Sequence, residues 1–176
     1  RVNLVHSDLF DALSGRRFDL ILANPPYVPA AEVANLPAEY RAEPGLGLAS
    51  GADGLDAVLK ILLDAPGHLG EDGAFICEVG ESEQRLARLL PRVPFLWLEF
   101  ERGGDGVFLL DYDQLAACRD DVRAVLFRNA RELLMNVIKH AKAGKVAVRM
   151  QTSGGMLRIL VEDDGVGFDP EAVADR

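Results

Sequence analysis

The side chains best suited to chemistry lie in the run Asn24-Pro25-Pro26-Tyr27, which directly follows the apolar run Leu20–Ala23. An unbroken apolar run of this kind is typical of a strand that is covered on both faces. A proline has no N–H to give to a ladder, so two prolines end the strand and fix the direction of the chain. The sequence therefore predicts that Asn24 and Tyr27 stand at the carboxyl end of a central strand, where open α/β sheets bind ligands.

A carboxamide and an aromatic ring held in this way suit the transfer of a methyl group to a planar nitrogen. Such a nitrogen is a poor nucleophile because its lone pair is delocalised. The Asn24 side-chain oxygen and the Pro25 carbonyl could each accept one of its N–H bonds, while the Tyr27 ring stacks on the planar group. Catalysis would then depend on positioning and electrostatics. The alternative is a plain turn in which Pro25 and Pro26 only end the strand.

A second polar position follows the β-like run Val2–His6. Asp8 would stand at the carboxyl end of this predicted strand. Its carboxylate could accept a hydrogen bond from an adenine amino group, and Phe10 could pack beside the ring. The alternative is that Ser7 or Asp8 caps the turn over residues 8–14. The local sequence favours neither interpretation.

Composition and charge narrow the class of protein. The chain has 176 residues, of which 49% are hydrophobic and 27% charged, as in ordinary globular proteins of one domain or two small ones. The formal net charge is −9, and residues 1–110 carry 17 Asp and Glu against 9 Lys and Arg. An acidic chain must overcome phosphate repulsion, which argues against direct nucleic-acid binding and favours a basic protein partner.

The cysteines and the chain ends bear on location. Cys77 and Cys118 form neither a disulfide framework nor a metal-binding spacing. We find no signal peptide and no apolar run of about 18 residues, so we expect a cytoplasmic protein without a membrane segment. Because the sequence starts at Arg1 without a methionine and stops just after a turn, we expect both ends to be cut.

The spacing of apolar residues predicts an α/β sheet with an antiparallel edge. It indicates a helix over residues 55–69, a buried strand over 74–79 and a helix over 82–90. Strands over 95–100 and 107–110 would form a hairpin around the turn 103–106. Alternating strands and helices that end in a hairpin are typical of this fold class.

Five motifs follow one another along residues 1 to about 120: Asn24-Pro25-Pro26-Tyr27, Glu43-Pro44, Gly51-Ala52-Asp53-Gly54-Leu55, Glu78-Val79-Gly80 with Gln84, and the run 97–108. In this order and spacing they resemble the class I, S-adenosylmethionine-dependent methyltransferases that modify glutamine side-chain amides. The resemblance is greatest to the branch that acts on the third protein of the large ribosomal subunit. It implies a Rossmann-like fold.

The resemblance assigns a role to each of these positions. It implies that Asn24, Pro25, Pro26 and Tyr27 form the catalytic loop around the substrate amide, with Asn24 also facing S-adenosylmethionine. Asp8 and Leu9 would lie at the cofactor adenine. The family's glycine-rich loop and the acidic residue after its second strand have no counterpart here. We therefore expect residues 1–120 to be a catalytic half that lacks the first Rossmann strands and has weak activity.

The pattern changes from Val122 onwards. Glu132, Asn136, Lys139 and His140 lie at i, i+4, i+7 and i+8, so on an α-helix they would share one face. A carboxylate, a carboxamide and a lysine on one face suit Mg-ATP, with the Asn136 oxygen as a magnesium ligand. Each could equally be a solvated helix residue. Strands that include 146–150 and 157–161 would form a hairpin around Ser153-Gly154-Gly155.

The run Asp163-Asp164-Gly165-Val166-Gly167 follows that hairpin. Asp163 could accept from an adenine amine where the glycines let the backbone come close, although Asp-Asp-Gly is also a common turn signal. Together with Glu132, Asn136, Lys139 and His140, the residues Asp163, Gly165 and Gly167 resemble the N and G1 boxes of sensor histidine kinase ATPase domains. The resemblance implies that residues 121–176 are a fragment of an α/β-sandwich ATPase with weak nucleotide binding.

The sequence thus favours an enzyme, a protein-glutamine N-methyltransferase with a ribosomal protein substrate. Three alternatives stay open: an ATP-binding fragment of a two-component sensor kinase, a DNA adenine-amino methyltransferase, and an inactive remnant. Residues 111–121 are polar but short, so we expect two unrelated partial domains to be joined there almost without a linker. We interpret this junction as a chimeric reading frame or a joined fragment.

Overall fold

The computed structural model describes residues 2–29, 31–32, 50–101, 104–153 and 156–167. The motif Glu43-Pro44 and parts of the two predicted hairpin turns, at 103 and at 154–155, lie outside the described residues. The elements are β1 (Phe18–Ala23), α1 (Asp56–Asp64), β2 (Leu69–Glu78), α2 (Glu83–Leu89), β3 (Leu96–Leu98), β4 (Val107–Asp111), α3 (Tyr112–Asn136), β5 (Val146–Ser153) and β6 (Met156–Asp163).

The strands form two sheets, and this confirms the predicted mixed α/β class. In the larger sheet the strand order is β1-β2-β4-β3. β1 runs parallel to β2, whereas β4 is antiparallel to both β2 and β3. The predicted hairpin of β3 and β4 thus forms the antiparallel side of the sheet. β5 and β6 pair antiparallel as a separate two-stranded sheet, again as predicted.

The prediction that β1 is a central strand covered on both faces is wrong. Within the described residues β1 pairs with β2 alone and stands at the edge of the sheet. Ile21 faces the core, whereas Leu20 and Leu22 on the opposite face are 51% and 69% exposed. Val2–His6 forms no strand, and its residues are exposed. A β-like sequence gains regular structure only where another strand accepts its hydrogen bonds, and the described residues offer it no partner.

The helix predicted over 55–69 is shorter than its periodicity suggested. α1 ends at Asp64, and a 3-10 turn, Ala65–Gly67, follows. Pro66 accounts for this end, because proline cannot continue the ladder of an α-helix. β2 then begins at Leu69, the last residue of the predicted helix, and includes Gly70 and Gly73. α2 lies within the predicted range 82–90, preceded by a 3-10 turn over Gly80–Ser82.

The core lies where α1 and α3 pack against each other and α3 packs on β2. Both cysteines are buried in it, which raises the pKa of each thiol to about 12. The helix α3 contributes four buried side chains, at Leu115, Cys118, Val122 and Val125. The other fully buried large side chains come from α1, α2, the strands and the segments between them: Leu55, Val58, Leu62, Leu69, Phe75, Val79, Leu86, Leu90, Phe108 and Leu110.

Residues 111–121 were expected to be a polar junction, but they begin a 25-residue helix. The Asp111 carboxylate accepts from the Gln114 amide at 2.8 Å, and the Gln114 side-chain oxygen accepts from the Asp111 amide at 3.0 Å. This capping box fixes the start of α3. The buried stripe then continues past residue 120 at helical spacing, and so does the helix. The domain boundary near 120 stays a prediction, and it falls inside α3.

The helix α3 changes its hydrogen-bonding pattern at its carboxyl end. Val137–Ala141 forms a π-helical turn, and Lys142 closes it with φ +51°. The hairpin of β5 and β6 follows, and β6 contacts both α1 and α3. No helix in the described part of the chain is long and apolar enough to cross a membrane.

Replacing Val122 with alanine tests whether the core extends past residue 120. Val122 is fully buried, so Val122→Ala should lower the free energy of unfolding by about 2 kcal/mol. The control Arg123→Ala removes an exposed side chain that pairs with Asp120 on the same helix, and it should change stability by less than about 0.5 kcal/mol. Urea unfolding followed by Trp97 fluorescence measures both. Equal, small effects would contradict the continuous core.

Candidate functional site

The Asn-Pro-Pro-Tyr loop directly follows the last residue of β1, but β1 is an edge strand and not the central strand that was predicted. Asn24 is exposed, Pro25 is buried and Tyr27 is half-buried. Because β1 and β2 are parallel, with Ala23 opposite Cys77, the loop lies at the sheet edge where β2 also ends. The carboxamide is therefore at a strand end and accessible, which is what binding a substrate amide requires.

Hydrogen bonds from two later segments hold the main chain of this loop. The buried hydroxyl of Ser82 donates to the Tyr27 carbonyl at 3.0 Å. The amide of Ser50 donates to the Val28 carbonyl at 2.9 Å. The Ser50 hydroxyl in turn accepts from the Ala57 amide in the first turn of α1 at 2.8 Å. The loop is therefore tied both to α1 and to the turn that precedes α2.

Two glycines let the chain approach Tyr27 closely. Gly80 has φ +47°, and a Cβ there would lie 2.7 Å from a ring carbon of Tyr27. Gly54 has φ +81°, and a Cβ there would overlap the Tyr27 carbonyl oxygen. Both the left-handed backbone and the missing Cβ are needed at these positions. The Tyr27 hydroxyl donates to a carboxylate oxygen of Glu78 over a long 3.4 Å.

The structure brings the Asn24 loop and the Leu9 region to one groove. This groove has a volume of about 380 Å³, within the range of small-molecule sites. Asp8 and Tyr27 are not among the residues that line it. Its lining is apolar except for Asn24, and consists of Leu9, Phe10, Leu13, Phe18, Leu20, Ile21, Leu22, Ala23, Asn24, Pro25 and Ile61.

The turn that carries Leu9 and Phe10 has its own supports. The Ser7 hydroxyl accepts from the Ala12 amide at 2.9 Å, which fits the capping interpretation for Ser7. Phe10 stacks on His68, with ring centroids 4.7 Å apart and planes 8° apart. The adenine-binding role of Asp8 stays a prediction, as do the roles of Leu9 and Asn24.

The residues predicted to hold Mg-ATP are exposed side chains at the end of α3. Glu132 and Asn136 lie in the α-helix, whereas Lys139 and His140 lie in the π-helical turn. The α-helical periodicity from which a shared face was predicted therefore stops at Asn136. No three His, Cys, Asp or Glu side chains in the described ranges cluster so as to hold a metal ion. The magnesium role of Asn136 stays a prediction.

Residues 163–167 begin at the end of β6 and contact the end of the π-helical turn at Ala141. The Asp163 carboxylate accepts from the Gly165 amide at 2.9 Å, as in the turn interpretation. A Cβ at Gly165 would overlap the Ala141 carbonyl, so the backbone does come close here, against the helix end. The Val166 amide donates to that same carbonyl at 2.8 Å. Gly167 has φ +68° and no close neighbour.

Asp164 has the clearest electrostatic role in this region. Its carboxylate accepts from the amides of Gly144 and Lys145, each at 2.8 Å. The Lys145 bond and then the Gly144 bond lower the pKa of this carboxyl below its usual 3.8. A lowered pKa stabilises the fold at pH values above the ordinary one, and this contribution is lost as the pH falls through the lowered value.

Sequence reasoning missed the two serines that support the loop. Ser82 stands at the start of the predicted helix over 82–90, and its hydroxyl donates to the Tyr27 carbonyl. Ser50 contacts residues on both sides of a long intervening segment, and no local pattern indicates this. Gly54 and Gly80 do lie within motifs noted in the sequence. The structure shows that both positions need glycine because the chain passes so close to Tyr27 there.

The part of the chain that carries this loop and groove is similar to known methyltransferases. Residues along 70% of this chain are 56% identical, over 124 residues, to the ribosomal protein uL3 glutamine methyltransferase of Xylella fastidiosa strain 9a5c. The protein of the same name from Xanthomonas campestris pv. campestris is 59% identical over 116 residues, which are 66% of this chain. That of Francisella tularensis subsp. tularensis is 48% identical over 120 residues, 68% of this chain.

The chain spans about two fifths of the length of these relatives, 40%, 38% and 38% respectively. The remaining part resembles a different family. Residues 121–175 match the family of histidine kinase-, DNA gyrase B- and HSP90-like ATPases. No solved structure gives a significant match. Both resemblances stated from the sequence are thereby confirmed.

Gly80→Ala tests whether close contact with Tyr27 holds the loop. Gly15 is a matched control, since it has φ +73° and nothing within 4 Å of a Cβ. Gly15→Ala should cost about 1 kcal/mol from the left-handed backbone alone. Gly80→Ala should cost about 1–3 kcal/mol more, because the new methyl group overlaps the ring. Urea unfolding of both variants measures the difference, and equal losses would rule out the contact.

Proposed function

We propose that the first segment, residues 1–120, catalyses the transfer of a methyl group from S-adenosylmethionine to a glutamine side-chain amide of ribosomal protein uL3. The observation that carries the proposal is an exposed Asn24 at the end of a parallel strand, in a groove shared with Leu9. The names of the relatives support this substrate. Modification of a ribosomal protein would take place in the cytoplasm.

The groove suits the adenosyl part of the cofactor. A volume of about 380 Å³, with Leu9, Phe10 and Asn24 among the lining residues, can take a flat ring against apolar side chains with one polar group beside it. In this assignment Leu9 and Asn24 contact the cofactor, and Asp8 accepts from the adenine amine. The cofactor would supply an electrophilic methyl group. The chain's own residues then have to hold the amide in line with it.

Asn24 and Pro25 would do this by accepting the two N–H bonds of the substrate amide. Accepting both N–H bonds fixes the nitrogen and favours the pyramidal form whose lone pair is free to react. Pro25 and Pro26 stiffen the loop, and Tyr27 would border the planar group. The contacts of Tyr27 with Ser82 and Gly80 keep the loop in place, so little reorganisation is needed during the reaction.

The acidic charge supports a protein substrate over DNA. The net charge of −9 repels a phosphate backbone but attracts a basic segment. A DNA adenine-amino methyltransferase is for this reason the weaker proposal, although the loop chemistry would serve it too. We propose further that residues 1–120 correspond to the catalytic half of such an enzyme.

Asn24→Ala is the decisive variant. Methyl transfer from labelled S-adenosylmethionine to a glutamine-containing uL3 peptide should fall at least about 100-fold, as expected when a preorganised polar group is lost. The control Asn3→Ala removes an exposed asparagine that lies outside the groove, and it should leave the rate unchanged. Transfer at the parent rate by Asn24→Ala would contradict the mechanism. No transfer by the parent chain would contradict its activity.

A second candidate function, binding of Mg-ATP by residues 121–176, is favoured by the ATPase family match over 121–175. Asn136 would contribute a magnesium ligand, while Glu132, Lys139, His140, Asp163, Gly165 and Gly167 would surround the nucleotide. Calorimetry with Mg-ATP should give heat that Asn136→Ala abolishes. Asn129→Ala, an exposed asparagine earlier on the same helix, is the control and should bind normally. Equal heat from both variants would exclude Asn136 as a ligand.

A further inference from the structure

A buried positive charge lies behind the groove. The side chain of Lys60 on α1 is only 5% exposed, and its ammonium has no hydrogen-bond partner among the described residues. Two carboxylate oxygens lie just beyond hydrogen-bond distance of Lys60 Nζ: Asp11 Oδ1 at 3.7 Å and Asp64 Oδ2 at 3.9 Å. Burial of a charge is unfavourable unless opposite charges compensate it, so these two carboxylates are what balance Lys60.

The two carboxylates differ in what they connect. Asp64 lies one turn further along α1, so its pair with Lys60 joins the helix only to itself. Asp11 begins the 3-10 turn Asp11–Leu13, which is distant from α1 in sequence. The pair of Lys60 and Asp11 therefore fastens this turn to α1, and through α1 to the core.

The fastened turn is a wall of the groove. Leu9, Phe10 and Leu13 line the groove, which Asn24 also lines. Leu9 has φ +49°, an uncommon conformation for a residue with a side chain, which persists only where its surroundings impose it. The bond of Ser7 to Ala12 and the stack of Phe10 on His68 act on the same turn, so Lys60 is one of several supports.

We propose that Lys60 is a positioning residue: its buried ammonium holds Asp11 and so fixes the Leu9–Phe10 wall at its distance from Asn24. The nature of the ligand in the groove rests on the proposed function, whereas the hold on the wall does not. Lys60 has no contact with the groove itself and acts only through Asp11.

Hydrogen exchange tests the hold without any ligand. In Lys60→Met the side-chain length is kept and the charge is removed. The amides of Ala12 and Leu13, which donate to Ser7 Oγ and to the Phe10 carbonyl, should then exchange about fivefold faster, the effect expected from losing a partly exposed ion pair. Amides of β2 should be unaffected, because apolar replacement of a buried charge is often neutral for overall stability.

The two carboxylates provide matched controls. Asp11→Asn should reproduce the faster exchange, and the double variant with Lys60→Met should add nothing further. Asp64→Asn should leave Ala12 and Leu13 at the parent rate. Unchanged exchange in Lys60→Met overturns the proposal. So does equal acceleration in Asp64→Asn, or acceleration throughout β2, because either would indicate general loosening instead of a local hold.

Calorimetry with S-adenosylhomocysteine then tests the consequence for the site. Lys60→Met should weaken binding about fivefold, and Asp64→Asn should bind as the parent chain does. Faster exchange with unchanged affinity overturns the role of the wall in binding. No heat with the parent chain counts against the proposed function instead, and in that case the exchange result alone decides whether Lys60 positions the wall.

Discussion

The candidate site depends on the close approach of two chain segments to Tyr27. Two prolines stiffen the loop itself. The close approach of Gly54 and Gly80 to Tyr27 leaves the loop no room to move. The Ser82 hydroxyl satisfies the Tyr27 carbonyl at the same place. An exposed carboxamide at Asn24 can hold a ligand in one orientation only if its own position is fixed. The packing around Tyr27 supplies that fixity.

The sequence predicted the elements whose signals are local. The proline pair ended β1, alternation indicated β5 and β6, and a polar turn between apolar runs indicated the hairpin of β3 and β4. What it missed depends on partners distant in sequence. Whether Leu20 and Leu22 are covered is decided by the neighbours of β1, and whether Val2–His6 becomes a strand is decided by an available edge. The periodicity of a single segment carries no information on either.

The site could likewise be predicted only in part. Asn24 and Tyr27 were found because prolines and a preceding strand mark their position, but the supports at Ser50 and Ser82 come from other segments. The face shared by Glu132, Asn136, Lys139 and His140 was predicted from α-helical spacing. The π-helical turn Val137–Ala141 ends that spacing before Lys139 and His140. π-helical turns are rare, and helical spacing within one segment does not indicate them; here the Ala141 carbonyl at the end of the turn accepts from the Val166 amide.

The two parts of the groove are supported to different degrees. Its polar end, at Asn24 and Pro25, is fixed by the core, by Ser50 and by Ser82. Its flank consists of Leu20 and Leu22, which remain largely exposed on the outer face of an edge strand. A ligand gains most where it is enclosed on both sides, and within the described residues nothing covers Leu20 and Leu22. In the described part of the chain, the position of Asn24 is therefore better defined than the enclosure of the rest of the groove, because hydrogen bonds hold the loop while the flank at Leu20 and Leu22 is exposed.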